Sequence, residues 1–295
     1  MKRNELRIRD PFILPWEGWY YMCGSGGEKT VPLYRSADLE EWEDLGTVFT
    51  IPEDFWAVRD TWAAEIHRYR GRFYMFVSLL GKNGLRGTQV AISDTPTGPY
   101  IPIADHPITP AGQSCIDATL YVQNGTPYVI WSHDWPDNYF PERNTYVGEL
   151  VAAEVTEDLT EIVGEPFLLF TSEQAPLSRN HPNPVEWHGR KSLRYGSDAP
   201  FMQKLQDGSL YFTWSPVLEK TYVVLGARSA TGDIRGPWVH DETPIYADNG
   251  GHSMFFTDFS GRRRISFHAP EIYGQERACF LYVEEKDGGL RLSGQ

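Results

Sequence analysis

The sequence predicts an all-β protein, a five-bladed β-propeller with about four antiparallel strands per blade, and two observations support this fold. First, one hairpin pattern occurs five times, each time as a strand-forming run, a turn pair such as Asn124-Gly125, and an aromatic-rich run. Second, the units open at residues 10, 64, 117, 198 and 252, so three of the four intervals are nearly equal. A period of this kind is typical of propellers, and helix signals are almost absent.

The five hairpins are read in chain order from their opening residues. They are DPFILPWEGWYYMCGSG from Asp10, AEIHRYRGRFYMFVSLLG from Ala64, IDATLYVQNGTPYVIWSH from Ile116, DAPFMQKLQDGSLYFTWS from Asp198 and GHSMFFTDFSGRRRISFHAP from Gly251. Strand-forming runs at 31–46, 87–103, 148–170 and 222–246 follow the first four hairpins. These runs supply the third and fourth strand of each unit.

The longer interval between the third and fourth units contains residues 172–197, which are rich in Pro, Asn and charged residues. This composition predicts a long loop that shapes the binding face. A jelly roll or double sandwich would also contain many short strands, but its strands do not recur as matched hairpins at a fixed period. We therefore expect a single propeller domain over residues 1–295.

Composition and charge narrow the classes of partner. The chain has 27 basic and 40 acidic residues, a formal net charge of −13, which disfavours nucleic acids and anionic membranes as partners and favours a neutral substrate. The first ten residues have no apolar run of signal-peptide length, so we expect a cytoplasmic protein. A secreted or periplasmic protein whose leader had been removed would have the same sequence. The oligomeric state is left open.

Titratable residues open the repeated units, and the innermost strands of a propeller converge on its central channel. The residues at these positions are Asp10, Glu65, Asp117, Asp198 and His252. Several carboxyl groups in one small volume raise one another's pKa and cost folding free energy, so this pattern indicates chemistry. Glycoside hydrolysis needs two carboxyl groups in opposite protonation states, and such a ring provides them.

The blade openings resemble those of glycoside hydrolase family 43. The resemblance rests on RDPF at 9–12, WAAEIH at 62–67, IDATLY at 116–121, DAPFM at 198–202 and GGHSMFF at 250–256, and it extends over residues 9–283. It implies an inverting enzyme in which Asp10 is the general base, Asp117 tunes pKa values and orients its partner, and Asp198 donates the proton.

The fourth opening departs from the common family pattern, which has Glu before Gly-Pro or Ala-Pro. Here Asp198 precedes Ala199-Pro200, so the carboxyl group is one methylene shorter. A divergent branch of the family has Asp at this position, and this chain is similar to that branch. Glu65, His181 and Glu186 remain alternative proton donors.

His252 resembles the histidine of the fifth blade in that family. This residue holds either calcium through water or a hydrogen bond to the catalytic centre. The resemblance therefore implies a structural calcium near His252 as the only metal, and no cofactor is required for the reaction. Zinc is disfavoured because a single His among carboxylates is not its preferred ligand set.

Five further residues are candidates for substrate binding. Sugar rings pack their C–H groups on aromatic faces, which favours Trp16, Trp62 and Trp135 as parts of subsites. Glu65 is expected to position water or contact a sugar hydroxyl, and Arg277 to hold a carboxylate near the channel. Packing between blades is the competing role for any one of these Trp residues.

The expected function is that of an exo-acting, inverting glycoside hydrolase on plant-type oligosaccharides. The family resemblance implies removal of a terminal arabinofuranosyl, xylosyl or related residue. Two alternatives remain. A phosphorylase would need clustered cations for phosphate, and only Arg9, Arg59 and Arg277 qualify. A non-catalytic carbohydrate-binding propeller would bind sugars without turnover.

Overall fold

The computed structural model describes residues 1–294, and the regular secondary structure of these residues is almost entirely β-strand. The helical segments are short: an α-helix at Pro176–Asn180 and 3-10 helices at Trp135–Asp137 and Ser172–Gln174. Within residues 1–294, no helix has the length and apolar character needed to cross a membrane.

Five four-stranded antiparallel sheets share one plan: within each sheet, the four strands are hydrogen-bonded side by side in the order in which they occur along the chain. Sheet 1 contains Arg9–Trp16, Trp19–Ser25, Thr30–Ser36 and Glu43–Thr50. Sheet 2 contains Ala57–Tyr69, Arg72–Gly81, Arg86–Ser93 and Ile101–Pro102. Sheet 3 contains Cys115–Gln123, Thr126–His133, Glu149–Val155 and Ile162–Thr171.

The last two sheets follow the same order. Sheet 4 contains Asp198–Lys204, Leu210–Ser215, Leu225–Ser229 and Val239–His240. Sheet 5 contains Gly251–Thr257, Arg263–Ala269, Arg277–Lys286 and Gly289–Leu292. A small hairpin of Val217–Leu218 and Thr221–Tyr222 extends from sheet 4.

The turn pairs that predicted the first hairpins have the expected geometry. Both residues of Glu17-Gly18, Arg70-Gly71 and Asn124-Gly125 have positive φ. This is the conformation of a type I′ turn, whose twist matches that of the two strands it joins. The local sequence therefore fixes the register of these hairpins.

The sheets close into a ring. The first strand of each sheet contacts the first strand of the next sheet, and the first strand of sheet 5 contacts that of sheet 1. Apolar side chains fill the junctions, for example Trp131 of sheet 3 with Phe76 of sheet 2, and Phe267 of sheet 5 with Tyr211 of sheet 4. The prediction of an all-β propeller is confirmed.

In the first strand of each sheet, one residue with positive φ holds a position that repeats around the ring. These residues are Asp10, Ala63, Asp117, Ala199 and His252, and the longer first strand of sheet 2 also has positive φ at Asp60. The repeated position is therefore occupied by Ala63 in sheet 2 and by Ala199 in sheet 4. Glu65 lies two residues beyond this position and Asp198 one residue before it, which corrects the phase predicted for these two acids.

Hydrogen bonds hold these strained positions in place. Ser25 of sheet 1 accepts the N–H of Ala63 at 2.9 Å, and Ser78 of sheet 2 accepts the N–H of Asp117 at 2.7 Å. Ser215 of sheet 4 accepts the N–H of His252 at 2.9 Å. Each bond joins the second strand of one sheet to the first strand of the next, so the ring fixes the backbone of the central residues.

Two junctions depart from this serine pattern. Between sheets 3 and 4, Ser132 bonds to Ser197, and the N–H of Ala199 donates instead to Oδ2 of Asp117 at 3.0 Å. Between sheets 5 and 1, the serine position is occupied by His268. Both departures involve the central carboxyl groups.

The segment 172–197 is not the long loop predicted from its composition. It forms the α-helix and then a hairpin, whose turn His188-Gly189 has positive φ at both residues. The hairpin belongs to a sixth four-stranded sheet, the insertion sheet, which contains Tyr139–Phe140, Thr145–Val147, Asn183–Trp187 and Arg190–Tyr195. The prediction overlooked the turn pair because Pro, Asn and charged residues surround it.

Candidate active site

Two adjoining cavities lie at the central end of the first strands. The inner cavity, of about 630 Å³, is lined by Arg9, Asp10, Asp117, Asp198, Tyr222 and His252 among others. The outer cavity, of about 570 Å³, is lined by Arg86, Asp134, Trp135, Asp137, Trp187 and Asp198 among others. Trp62, Ile116 and Asp198 line both cavities, so the two form one continuous groove.

Asp10 is a buried carboxylate of the inner cavity. Its Oδ2 accepts a hydrogen bond from the hydroxyl of Ser25, and its Oδ1 lies 3.1 Å from Nδ1 of His252 and 3.3 Å from Nδ1 of His268. Burial acts to raise the pKa of Asp10, but the two imidazoles and the Arg9 guanidinium outweigh it and hold the pKa well below its usual range. Asp10 is therefore ionised at any physiological pH.

The pKa values of the two histidines beside Asp10 are shifted in opposite directions. Burial lowers the pKa of His252, and the charge of Asp10 opposes this shift. Burial also acts to lower the pKa of His268, but its bonds to Asp10 and Glu271 outweigh this effect and raise it. Nε2 of His268 is 2.5 Å from Glu271, which also accepts a hydrogen bond from Arg9 at 2.9 Å. The two histidines and Arg9 therefore together supply the charges and hydrogen bonds that lower the pKa of Asp10.

The pKa of Asp117 is shifted in the opposite direction from that of Asp10. Burial, followed by the negative charges of Asp198 and Asp10, raises the pKa of Asp117 well above its usual value. Its Oδ2 accepts the N–H of Ala199, the residue after Asp198. Asp117 thus fixes the backbone that carries Asp198.

Asp198 lines both cavities, and within residues 1–294 no cation lies within ion-pairing distance of its carboxyl group. Burial raises its pKa to about 6; the charges of Glu271 and Asp10 add to this rise, whereas Arg194 and Arg9 oppose it. A carboxyl group with this pKa carries a proton below neutral pH. Asp198 can therefore donate a proton to a group bound where the cavities meet.

Trp62 forms a wall common to both cavities, and 40% of its surface is exposed. The guanidinium carbon of Arg86 lies 3.4 Å from the centre of its ring, and Asp60 holds Arg86 by an ion pair of 2.9 Å. One side of the indole is therefore covered by a fixed cation. The arrangement keeps the ring in one position as an aromatic surface of the kind on which sugars pack.

The insertion sheet and the segment after the second strand of sheet 3 both contribute to the outer cavity. Trp135 packs edge-on against Trp187 of the insertion sheet, with 5.3 Å between ring centres, and Arg194 lies over the Trp135 ring. Trp135 lines this cavity, as does Trp187, which remains 38% exposed.

Three residues predicted to bind substrate lie away from the inner and outer cavities. Glu65 is buried and bonds to His67 at 2.7 Å, in a small enclosed space beneath Asp10 and His252. Glu65 therefore lines neither of the two cavities of the groove, and a role in positioning water or contacting a sugar hydroxyl stays a prediction.

Trp16 and Arg277 were also misplaced by the prediction. Trp16 lies beside the hairpin turn of sheet 1, packed edge-on against Phe73 at 5.5 Å and covered by Arg68. Arg277 donates to the carbonyl of Asn4 at 2.8 Å and lines neither cavity. Trp16 lies at the far end of its strand from Asp10, and Arg277 is tied to the N-terminal segment.

The alternative proton donors are also remote from the reacting groups. His181 bonds to the exposed Glu219 at 3.0 Å, and the exposed carboxyl of Glu186 lines neither cavity. Among the predicted donors, only Asp198 lies on the groove.

The metal prediction concerned His252. Within residues 1–294, no group of three or more His, Cys, Asp or Glu side chains is arranged to hold a metal ion directly. Nδ1 of His252 instead faces Oδ1 of Asp10 at 3.1 Å and Oδ2 of Asp117 at 3.9 Å. The residues do not fit direct coordination, and calcium held through water near His252 stays a prediction.

The sequence analysis missed three groups of functional interest: Asp134 in the outer cavity, the His268–Glu271 pair behind Asp10, and Arg86 beneath Trp62. A signal existed for His268, because Ser occupies the same place in the second strand of the first four units. No such repeat marks Asp134 or Arg86. Asp134 follows the second strand of sheet 3, and Arg86 begins the third strand of sheet 2, so neither belongs to the first strands that the repeat identified.

Comparisons with known proteins identify the chain's relatives. The model of the family "Glycosyl hydrolases family 43" matches residues 4–283. A solved structure of an endo-arabinase from Bacteroides thetaiotaomicron is 34% identical, covers 98% of both chains, and superposes with a TM-score of 0.88.

Two characterised relatives show lower identity. The alpha-L-arabinofuranosidase 43 of Humicola insolens is 22% identical over 87% of this chain, which spans only 53% of that protein's length. A xylosidase/arabinosidase of Bacteroides ovatus is 27% identical, with 77% of this chain and 70% of the relative covered.

Proposed function

This chain belongs to glycosyl hydrolase family 43, and from that premise we propose that it is an inverting, exo-acting glycosidase that removes terminal arabinofuranosyl or xylosyl residues from plant-type oligosaccharides. One observation carries the proposal. The inner cavity holds an ionised carboxylate, Asp10, and a carboxyl group with a raised pKa of about 6, Asp198. Two carboxyl groups in opposite protonation states are what hydrolysis of a glycosidic bond requires.

In the proposed reaction Asp10 is the general base. Its carboxylate accepts a proton from a water molecule as the water oxygen attacks the anomeric carbon. The hydroxyl of Ser25, the imidazoles of His252 and His268, and the Arg9 guanidinium support the ionised form. Asp10 also needs a fixed orientation, and the hydrogen bonds that join neighbouring sheets around the ring supply it.

Asp198 is the proposed proton donor to the oxygen of the leaving sugar. It lines both cavities, so a bond that spans the boundary would present its oxygen to this carboxyl. Asp117 is the proposed positioning residue, because its bond to the N–H of Ala199 fixes the neighbouring backbone.

The names of the relatives support arabinose- and xylose-containing substrates. The Humicola and Bacteroides ovatus proteins are named as an arabinofuranosidase and a xylosidase/arabinosidase, whereas the structural relative is titled an endo-arabinase. Exo-acting cleavage is supported by the inner cavity, whose lining includes the buried side chains of Asp10 and Tyr222. The products of a linear arabino-oligosaccharide distinguish the two modes: arabinose alone for exo action, and mixed shorter oligosaccharides for endo action.

Phosphorolysis is less well supported. The cations of the inner cavity are Arg7 and Arg9, and both form ion pairs, Arg7 with Glu276 at 3.0 Å and Arg9 with Glu271 at 2.9 Å. A phosphate dianion would have to compete with these carboxylates. In a non-catalytic carbohydrate-binding protein, the carboxyl groups of Asp10, Asp117 and Asp198 would have no role, although their burial costs folding free energy.

The test is sugar release from phenyl arabinofuranoside and xyloside, with and without phosphate, by wild type, Asp10→Asn and Asp198→Asn. We expect phosphate-independent release by wild type. Each variant should lose about 10²- to 10⁴-fold in kcat, the range for removal of an acid or base.

Proton NMR of the first product then assigns the stereochemistry. An inverted anomer supports the mechanism above, and a retained anomer refutes it. Binding of xylo- or arabino-oligosaccharides by wild type without any release would replace the hydrolase with the carbohydrate-binding alternative.

A further inference from the structure

Tyr222 lines the inner cavity, but the mechanism above gives it no role. It is the last residue of the small hairpin that extends from sheet 4. The turn residues of this hairpin, Glu219 and Lys220, both have positive φ, so the local backbone turns tightly and carries the tyrosine to the cavity wall. Only 4% of the surface of Tyr222 is exposed, which makes it a buried part of that wall.

Contacts on several sides hold Tyr222 in place. Its carbonyl accepts the N–H of Gly250 at 3.0 Å, and its own N–H donates to Oδ1 of Asn249 at 3.3 Å. The ring lies against Gly251, where a side chain would have no room. The ring centre of His268 is 5.7 Å away, with 30° between the two planes. Backbone bonds and packing therefore fix the ring, and the hydroxyl is not needed for this purpose.

The hydroxyl of Tyr222 makes no hydrogen bond to any group in the part of the chain that the structure describes. Other donors of the inner cavity are engaged: Arg7 and Arg9 form ion pairs, and the hydroxyl of Ser25 donates to Asp10. A polar group on a buried side chain costs free energy when it lacks a partner. The free hydroxyl on the cavity wall therefore indicates a group whose partner is a bound ligand.

This hydroxyl is a neutral donor. Burial, followed by the charges of Asp198, Asp10 and Asp117, raises the pKa of Tyr222 well above its usual value, so the hydroxyl keeps its proton. The carboxyl groups of the cavity offer acceptor oxygens. A sugar hydroxyl bound there can give its own proton to one of them, and its oxygen then needs a donor, which a tyrosine hydroxyl provides.

The neighbours of Tyr222 indicate which part of a sugar it reaches. Asp10 is the proposed base for the water that attacks the anomeric carbon, so this carbon lies close to the Asp10 carboxylate. His268 contacts both residues, because its Nδ1 lies 3.3 Å from Oδ1 of Asp10 and its ring faces that of Tyr222. Tyr222 therefore belongs to the wall beside the anomeric carbon. The hydroxyl that a pentose carries next to this carbon is the one on C2.

We propose that the hydroxyl of Tyr222 donates a hydrogen bond to the 2-hydroxyl oxygen of the sugar bound in the inner cavity. The inference rests on the proposed function and adds a substrate contact to it. Arabinofuranosyl and xylosyl residues both carry this hydroxyl. A glycone without it would leave the donor unpaired, so Tyr222 selects against 2-deoxy sugars. The outer cavity, on the leaving-group side of the groove, is not involved.

The experiment is a double cycle of enzyme and substrate changes. Wild type and Tyr222→Phe, which keeps the ring and removes only the hydroxyl, are assayed on a phenyl glycoside of the preferred pentose and on its 2-deoxy analogue. Spontaneous hydrolysis of each compound is subtracted. We expect Tyr222→Phe to lower kcat/KM about 3- to 10-fold on the parent glycoside, the effect of one neutral hydrogen bond, and less than about twofold on the 2-deoxy analogue.

A second measurement does not depend on turnover of the 2-deoxy compound. The free pentose and the free 2-deoxy pentose are tested as competitive inhibitors of phenyl glycoside cleavage. Tyr222→Phe should weaken inhibition by the pentose about 3- to 10-fold and leave inhibition by the 2-deoxy pentose within about twofold of wild type.

Tyr246→Phe is the matched control. The ring of Tyr246 packs on Phe267 with 4.4 Å between centres and lines neither cavity, so this variant should behave as wild type on every compound. Thermal unfolding of both variants checks that they are folded.

The outcomes separate the inference from the proposed function. Equal losses on the parent and 2-deoxy compounds would show that the Tyr222 hydroxyl acts through the central acids or the fold, and no loss on either would show that it makes no contact with the sugar; both results overturn the inference while the hydrolase stands. If wild type releases no sugar from the parent glycosides, the proposed function fails and the inference fails with it.

Discussion

Ser25 offers a test of how the ring of hydrogen bonds controls the base. Its hydroxyl donates to Oδ2 of Asp10 and accepts the N–H of Ala63 at 2.9 Å. The change Ser25→Ala removes both bonds at once. It leaves a buried N–H without a partner and deprives the carboxylate of its one hydroxyl donor.

The two losses have separate magnitudes. The orphaned N–H of Ala63 costs about 1–3 kcal/mol of stability. For a domain of this size this corresponds to about 2–4 °C in Tm per kcal/mol. The hydrogen bond to the ionised Asp10 is worth about 1.5–3 kcal/mol. If that energy serves to orient the base in the transition state, kcat/KM falls about 10- to 100-fold.

Ser215→Ala is the matched control. Ser215 holds the same place in sheet 4 and accepts the N–H of His252 at 2.9 Å, but it donates to no carboxylate. Thermal unfolding and kcat/KM on an aryl glycoside are measured for both variants. We expect similar losses of Tm in both variants and a large loss of kcat/KM only in Ser25→Ala. Equal kinetic losses would show that the serines act only through the fold, which would refute a role for Ser25 in orienting Asp10.

Three further changes probe the groove. A Cβ on Gly251 would lie 2.6 Å from the ring of Tyr222, so Gly251→Ala should lower stability by about 1–3 kcal/mol and raise KM; an unchanged Tm and KM would mean that the ring moves freely. The pKa of Asp198 is raised to about 6, so its ionised form costs stability above that pH. Asp198→Asn should therefore unfold at a higher temperature than wild type at pH 8 and at the same temperature near pH 4, and a constant difference would contradict this sign. Trp187→Ala should raise KM for oligosaccharides severalfold but not for aryl monosaccharides, and equal changes in steady-state assays would exclude Trp187 from the leaving-group side.

The sequence was informative where local rules dominate. Turn pairs such as Asn124-Gly125 determine hairpins by φ alone, and the repeat of the hairpins determined the fold class. The exact residue that repeats in each unit was harder to predict. Glu65 and Asp198 are acids close to the repeated position, but the residues that occupy it are Ala63 and Ala199. Positive φ at an alanine has no signature in composition, so only the backbone reveals it.

The groove was predicted less completely than the first strands. Asp10 and Asp117 follow from their place in the repeat, but Asp134 reaches the cavity because a short 3-10 helix turns the chain there. Trp16 was misassigned for the opposite reason, since it lies near Asp10 in sequence but at the other end of the strand. Distance along a strand decides whether a side chain reaches the centre, and residue type alone does not.

The opposite protonation states of the central acids follow from their positions around the ring. The place that holds serine in sheets 1 to 4 holds His268 in sheet 5, and Nδ1 of His268 accepts the backbone N–H of Asp10 at 3.1 Å. His268, bonded to Glu271 through Nε2, is one of the groups that lower the pKa of Asp10. Asp117 instead receives the neutral N–H of Ala199 and the charges of other acids, which raise its pKa. The histidine in place of serine therefore contributes, with His252 and Arg9, to an ionised base beside acids whose pKa values are raised, which suits the groove to acid–base chemistry.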